Sequence, residues 1–158
     1  MSGSDTAANS GFTGSLTKFG LGIGSTPAQL STATPDGTSG GTYAIDGIAY
    51  YIVDDATVVM DAMAVQAVST SCLYLVMYNA AGTLSTKKGV ERLTASLGDN
   101  LSLQWPEPDV DTCAIGGFKV ALNASTTFTG ATTDLDAAGV TDTYYDFAGG
   151  IPNAPQVA

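Results

Sequence analysis

Carboxylates are the side chains of this sequence that could do chemistry, and they gather in three places. The groups are Asp54 and Asp55, then Glu107, Asp109 and Asp111, and finally Asp134, Asp136 and Asp142. A pair of carboxylates can hydrolyse a glycosidic bond, and oxygen ligands from irregular loops can hold calcium. The sequence contains no histidine, which excludes Ser-His and Cys-His nucleophilic systems. We therefore interpret these acids as solvated turn residues and predict no catalytic residue.

The sequence also lacks the motifs of a metal or cofactor site. Asp134 and Asp136, followed by Gly139, resemble only a fragment of a calcium loop, because the third acid and the bidentate glutamate are missing. Two cysteines without a histidine cannot form an ordinary zinc site. No phosphate-binding loop or dinucleotide fingerprint occurs in a strand-turn-helix context. The sequence predicts a non-enzymatic protein with no cofactor and no metal.

Composition narrows the classes of partner. The 158 residues suit one domain, and their net charge is −10, from 15 acids and five bases. Without a basic stripe, binding to nucleic acid is disfavoured, and no apolar run is long enough to cross a bilayer. The first five residues lack the basic region and apolar core of a secretory signal, so we expect synthesis in the cytoplasm.

The pattern of apolar residues predicts strands, so strands would have to position any functional side chain. The longest apolar run, residues 72–78, is the predicted central strand. This run is apolar on both faces, because Cys72, Tyr74 and Val76 alternate with Leu73 and Leu75. An antiparallel strand with one wet face would alternate polar and apolar residues. We therefore expect both faces of this strand to be covered.

Short strands flank this run on both sides. The clearest is a hairpin over residues 42–53, in which Asp46-Gly47 suits a two-residue type I′ turn. The apolar alternation changes phase across the Gly116-Gly117 pair, which indicates a bulge or a bend. Further strands are predicted over 57–60, 64–68, 101–105, 112–122, 126–129 and 143–147. The predicted fold is all-β, an antiparallel β-sandwich or jelly-roll-like domain with an extended N-terminal arm.

Cys72 and Cys113 both lie in predicted strands. A bridge between neighbouring strands is geometrically possible. In a chain without a secretory signal, two buried thiols that pack as small apolar side chains are the simpler interpretation, and we favour it.

Three segments are predicted. Residues 1–41 form a Gly/Ser/Thr-rich arm, 42–148 the β-sandwich domain and 149–158 an extended C-terminal tail. The arm has too few apolar residues to fold alone, but its apolar residues are spaced like the anchors of an extended peptide. We predict that the arm orders on a partner through Phe12, Leu16, Phe19, Leu21 and Ile23.

Residues 42–147 resemble small virion structural proteins of tailed bacteriophages, most closely capsid decoration (cement) and head-fibre proteins. The similarity lies in the stretches 47–51, 72–83, 113–120 and 128–141. The resemblance implies a β-rich module without catalytic residues that binds and stabilises a shell of major capsid protein in the virion. We expect a homo-oligomer, a dimer or a trimer, that binds the capsid through the arm.

Two alternatives remain open. The first is a head-fibre, tail or adaptor component of the virion. The second belongs to another class, a carbohydrate- or calcium-binding adhesion module in which Trp105 and the tyrosines form a stacking platform.

Overall fold

The computed structural model of this chain describes residues 11–35, 37–98 and 102–152. Within these ranges the chain forms ten strands and one 3₁₀ turn, Thr94–Ser96. The strands are β1 (Gly14–Ser15), β2 (Gly22–Ile23), β3 (Leu30–Ser31), β4 (Gly40–Ile45), β5 (Ile48–Val53), β6 (Thr70–Asn79), β7 (Leu84–Lys88), β8 (Arg92–Leu93), β9 (Thr112–Leu122) and β10 (Val140–Asp146).

All strand pairs are antiparallel and form three sheets. One sheet has the order β1-β4-β5, a second has β10-β9-β6-β7 with β8 also paired to β6, and the third is the pair β2-β3. Tyr43 and Ile45 of the three-stranded sheet share one buried cluster with Tyr78 and Phe118 of the five-stranded sheet. The predicted all-β sandwich is confirmed, whereas this strand order does not identify a jelly roll.

The strand β6 is covered on both faces, as its sequence predicts. Tyr74 and Val76 lie in the larger cluster, between the two main sheets. Leu75 and Met77 lie on the opposite face, in a smaller cluster with Phe147. All four side chains are completely buried, which makes β6 the structural centre of the domain.

The strand β9 contains a bulge next to its glycine pair. Val76 pairs with Gly116, but the next residue of β6 pairs with Ala114, so Ile115 is the extra residue. The insertion brings Ile115 and Phe118 onto the same buried face. The second glycine, Gly117, lies under the ring of Trp105 on the opposite face of the sheet, and a Cβ atom at this position would collide with that ring.

The hairpin β4–β5 closes as predicted. Ile45 pairs with Ile48 across Asp46 and Gly47, whose φ angles are 50° and 80°. Positive φ at both central residues is the requirement of a type I′ turn. Tyr43 and Tyr50 face each other across the hairpin with ring centroids 5.5 Å apart.

Three predicted strands are wrong, because each forms at most a single bridge. Val58 bonds to Leu30 and Gln66 to Phe128, and neither contact continues into a ladder. The backbone of these loops is held largely by isolated bridges and side-chain hydrogen bonds. The affected predictions cover residues 57–60, 64–68 and 126–129.

The strand predicted over 101–105 is also wrong within the residues that the structure describes, since 102–105 are irregular. Leu101 lies outside the described ranges. Leu103 is buried, and Trp105 packs against the sheet rather than alternating in it. The alternation of apolar residues in 102–105 therefore arises because Leu103 and Trp105 fix an irregular loop against the sheet.

The N-terminal boundary needs correction, because residues 11–35 belong to the folded domain. Gly14 and Ser15 pair with β4, and Phe19, Leu21 and Leu30 lie in the larger core cluster. Apolar residues from this segment fill space that the two main sheets leave open. Residues 1–10 of the predicted arm lie outside the described ranges.

The predicted tail begins within the fold as well, since Gly149 exchanges two backbone hydrogen bonds with Ser15, of 3.1 and 2.6 Å. Residues 153–158 lie outside the described ranges.

Candidate interaction surface

The strand β5 presents an uncharged apolar edge. It pairs with β4 on one side and ends the three-stranded sheet on the other. Its exposed fractions are 60% for Ile48, 56% for Tyr51 and 63% for Val53. Tyr51 and Val53 lie on the face that points away from the core, whereas Ile48 shares the other face with Tyr50 and Ile52 and is exposed at the turn end of the strand. Tyr50 and Ile52 pack against the core, which fixes the position of the strand.

Hydrogen-bonding groups of β5 alternate between β4 and the open edge. In a two-residue hairpin the residues next to the turn exchange hydrogen bonds, and the pattern then alternates. Asp54 continues this pattern, because its N–H donates to the carbonyl of Ser39 at 3.0 Å. The N–H and C=O groups of Ala49, Tyr51 and Val53 therefore point outward. No residue that the structure describes hydrogen-bonds to these six groups.

The outer strands of the five-stranded sheet differ from β5. Lys87 and Lys88 occupy β7, while Asp142 and Asp146 occupy β10. Charged side chains on an edge strand oppose pairing with another chain, because the pairing would desolvate them. Among the described edges longer than two residues, β5 alone lacks a charged side chain.

Of the predicted partner contacts, Phe12, Leu16 and Ile23 are exposed. Their exposed fractions are 50%, 50% and 37%. Phe12 and Leu16 flank β1 on either side, so a short strand pairing holds their backbone in place. The prediction that these three side chains contact a partner is compatible with their exposure.

Phe19 and Leu21 were predicted as partner contacts, and their burial corrects that assignment. The ring of Phe19 lies 5.9 Å from that of Tyr78, and its side chain has no exposed surface. Leu21 is 7% exposed, and its N–H donates to the Asp146 carboxylate at 2.9 Å. All five residues lie in one Gly-rich segment without a regular period, so only the tertiary structure separates the side chains that enter the core from the exposed ones.

An open groove of about 500 Å³ lies beside Leu16. Its lining includes Lys18, Pro35 and Ala148, so it joins the N-terminal segment to the end of the domain. The groove holds a single charged side chain among its described lining residues. It extends the exposed apolar surface around Leu16.

Several carboxylates brace loops. Asp54 accepts hydrogen bonds from the N–H and the hydroxyl of Thr34, at 2.9 and 2.7 Å. Asp61 accepts from the N–H of Thr86 at 2.8 Å, and its own N–H donates to the Thr86 hydroxyl at 3.0 Å. Such bonds hold irregular segments against the sheets without a strand ladder.

The predicted acidic groups do not converge. Within residues 11–35, 37–98 and 102–152, no three side chains of His, Cys, Asp or Glu are arranged to hold a metal ion. Asp109 pairs with Lys87 at 2.6 Å across the surface. Glu91 pairs with Lys88; burial alone would raise the pKa of Glu91, but hydrogen bonds from Lys88 and Ala67 outweigh it and lower that pKa.

Both cysteines are free, buried thiols, as the sequence predicts. Burial raises the pKa of Cys72 to about 12 and that of Cys113 to about 11. A thiol that stays protonated is a poor nucleophile and a poor metal ligand. The two cysteines therefore act as packing residues of the core.

Trp105 covers the second face of the five-stranded sheet. Its ring meets those of Tyr145 and Phe147 edge to face, with centroids 5.6 and 5.1 Å apart. Gly117 lies directly beneath it. These contacts make the Trp105 ring a packing element on this face of the sheet.

No family model, no curated protein and no solved structure matches this chain. The described residues also contain no helix that is long and apolar enough to cross a membrane. The candidate surface therefore rests on the geometry of this chain. Sequence reasoning placed Ile48–Val53 in a hairpin but missed its open edge, although six consecutive residues without a charge were visible in the sequence.

Proposed function

We propose that this protein is a non-enzymatic structural protein of a bacteriophage virion, a decoration or cement protein that binds and stabilises the major capsid protein shell. The resemblance of residues 42–147 to such proteins supports the proposal. So does a sparsely charged surface, since only 13% of residues are charged. The protein is made in the bacterial cytoplasm and works in the virion, as a dimer or a trimer.

The observation that carries this proposal is the exposed, uncharged strand β5 on a braced scaffold. A decoration protein must present the same surface to many equivalent sites on the shell. Tyr50 and Ile52 anchor β5 to the core, so its exposed residues are held in a fixed geometry. A fixed apolar surface loses little conformational entropy on binding.

The exposed residues near β1 supply a second contact in this proposal. Phe12 and Leu16 are half exposed, and Leu16 borders the open groove. We expect a Leu16→Ser variant to bind heads that lack the protein more weakly than the parent. Val90→Ser is the matched control, because Val90 is 63% exposed and lies between β7 and β8 of the other sheet. Equal binding by the two variants would contradict a contact at Leu16.

Copy number tests the function itself. Purified virions are analysed by quantitative mass spectrometry before and after a mild chaotrope. Hundreds of copies that release together and leave weakened heads support a cement protein. About a dozen copies that stay with the tail would identify a tail or adaptor component, and a few copies on the head would identify a fibre.

Absence from virions would refute the proposal and return the adhesion module to first place. A glycan array then tests for a carbohydrate-binding module, and a calcium titration followed by thermal unfolding tests for a calcium-binding one. A thermal shift with calcium would show a cation site, and glycan binding would show a lectin-like surface.

A further inference from the structure

We infer that the open edge of β5 is an acceptor site for an extended segment of a partner protein, one with a neutral centre flanked by lysine or arginine. The segment adds to the three-stranded sheet as a fourth strand, antiparallel or parallel to β5. Its backbone bonds to the outward groups of Ala49, Tyr51 and Val53.

The backbone geometry supplies the first argument. Three N–H donors and three C=O acceptors alternate along β5, a spacing that an added strand matches. The side chains of Tyr51 and Val53 are exposed beside them, at 56% and 63%. Tyr51 is also held in place, because its hydroxyl donates to the carbonyl of Thr38 at 3.2 Å. The edge is thus pre-formed and has apolar surface for alternate side chains of a ligand.

Charge indicates which segment fits. Asp46 precedes β5, and Asp54 and Asp55 follow it, whereas residues 37–60 contain no lysine or arginine. A bound strand that spans β5 places its own flanking residues near these acids. Basic flanks are attracted to them, and acidic flanks are repelled.

The same charges disfavour a second copy of this chain at the edge. In a two-fold antiparallel pair centred on Tyr51, Gly47 of one chain would lie opposite Asp55 of the other. Asp46 and the two acids of the other chain would then crowd together at both ends. Like charges so placed oppose pairing, and each chain also carries a net charge of −10.

Synthetic peptides test the inference on the full chain. The probe is Lys-Lys-Thr-Val-Thr-Val-Thr-Val-Lys-Lys, with blocked ends. The first control replaces its four lysines by glutamates, and the second replaces the central Val-Thr by Pro-Pro. We expect micromolar binding of the probe by calorimetry, at least tenfold weaker binding of the glutamate peptide, and none of the proline peptide. Binding of the probe should weaken as salt is raised.

Amide hydrogen exchange locates the bound strand. In the free protein the N–H groups of Ala49, Tyr51 and Val53 should exchange faster than those of Tyr50 and Ile52, which bond to β4. The probe should slow exchange at the three outward groups. Binding without that protection would overturn the inference, because the charge attraction would then act elsewhere.

A pair of variants removes one edge donor. Ala49→Pro deletes an outward N–H and is compatible with an edge strand, whereas Ala49→Ser keeps it. We expect about tenfold weaker peptide binding by the proline variant and unchanged binding by the serine variant. If the proline variant fails to fold, the exchange measurement on the parent chain decides.

Three further outcomes would overturn the inference. One is equal binding of the lysine and glutamate peptides. Another is protection of the outward N–H groups that rises with protein concentration, which would assign the edge to a second copy. The last is peptide binding only after removal of residues 1–10, which would assign it to the chain's own N-terminus.

Strand addition at β5 goes beyond the proposed function and can fail separately from it. Peptide binding by a protein that is absent from virions would refute the capsid role alone. Abundance in virions without peptide binding would refute the edge site alone.

Discussion

Replacing Gln66 by methionine is expected to lower the free energy of unfolding by about 3–5 kcal/mol. Gln66 is completely buried in a loop beside the sheet. Its Nε2 donates to the carbonyls of Thr70 and Val120, both at 3.1 Å, and its Oε1 accepts from the Tyr74 hydroxyl at 2.8 Å. Methionine has a similar size and shape, so the change removes hydrogen bonds without opening a large cavity.

The magnitude follows from the three bonds. Each broken bond leaves a buried polar group without that partner, at about 1–3 kcal/mol apiece. The low end applies to the two strand carbonyls, because a carbonyl has a second lone pair. Tyr74→Phe alone removes one bond and should cost about 1–2 kcal/mol. In the double variant the Tyr74 change should cost little more, which gives a coupling energy of about 1–2 kcal/mol.

Urea unfolding measures these free energies, with the fluorescence of Trp105 and circular dichroism as two independent signals. Gln104→Met is the matched control, because Gln104 is exposed, and it should change stability by less than about 0.5 kcal/mol. If the two single changes add to within about 0.5 kcal/mol, the Tyr74–Gln66 bond does not stabilise the fold and the reasoning is refuted.

Four other predictions follow from buried residues. Phe19→Ala should destabilise the protein by about 3–5 kcal/mol, and Phe12→Ala by only about 1 kcal/mol, because half of the Phe12 side chain is exposed; equal effects in urea unfolding would show that Phe19 is not in the core. Gly117→Val should cost about 1–3 kcal/mol, because its side chain would collide with the ring of the single tryptophan, and unchanged stability would contradict that packing. Cys72 and Cys113 should react with a thiol reagent at pH 8 only on unfolding, and rapid reaction of the native protein would contradict their burial. The pKa values of both thiols in the folded protein, about 12 and 11, lie above the ordinary value of 9.0. Their contribution to the free energy of unfolding is therefore complete below pH 9 and is lost as the pH rises towards 11–12, because the unfolded chain then ionises first. Urea unfolding at a series of alkaline pH values measures this loss.

Local signals in the sequence predicted local structure well. Asp46-Gly47 specifies a turn with two positive φ angles, and only a hairpin satisfies that between two apolar runs. The Gly116-Gly117 pair marks the bulge because the apolar alternation changes phase there. The doubly apolar β6 required two covers, and both are present.

Other segments could not be predicted, because distant partners decide them. The sequence pattern predicts a strand at Gln66. Instead, its side chain hydrogen-bonds to the Tyr74 hydroxyl and to two strand carbonyls, and its backbone forms a single bridge. Lys119 is only 7% exposed, opposite Leu73, which no pattern containing a lysine predicts. The division of the N-terminal segment into the buried Phe19 and the exposed Phe12 likewise depends on which space the sheets leave open.

The sequence by itself determined the all-β class, the central strand and the tight turn, and it favoured a bulge or a bend at the glycine pair and two free thiols over a bridge. Each of these depends on residues that are neighbours in the chain or on their own chemistry. The tertiary structure alone decided that residues 11–35 belong to the domain, that several acids brace loops, and that β5 has an open edge. Those features depend on which surfaces meet after folding, and contacts between residues far apart in the chain leave no local pattern.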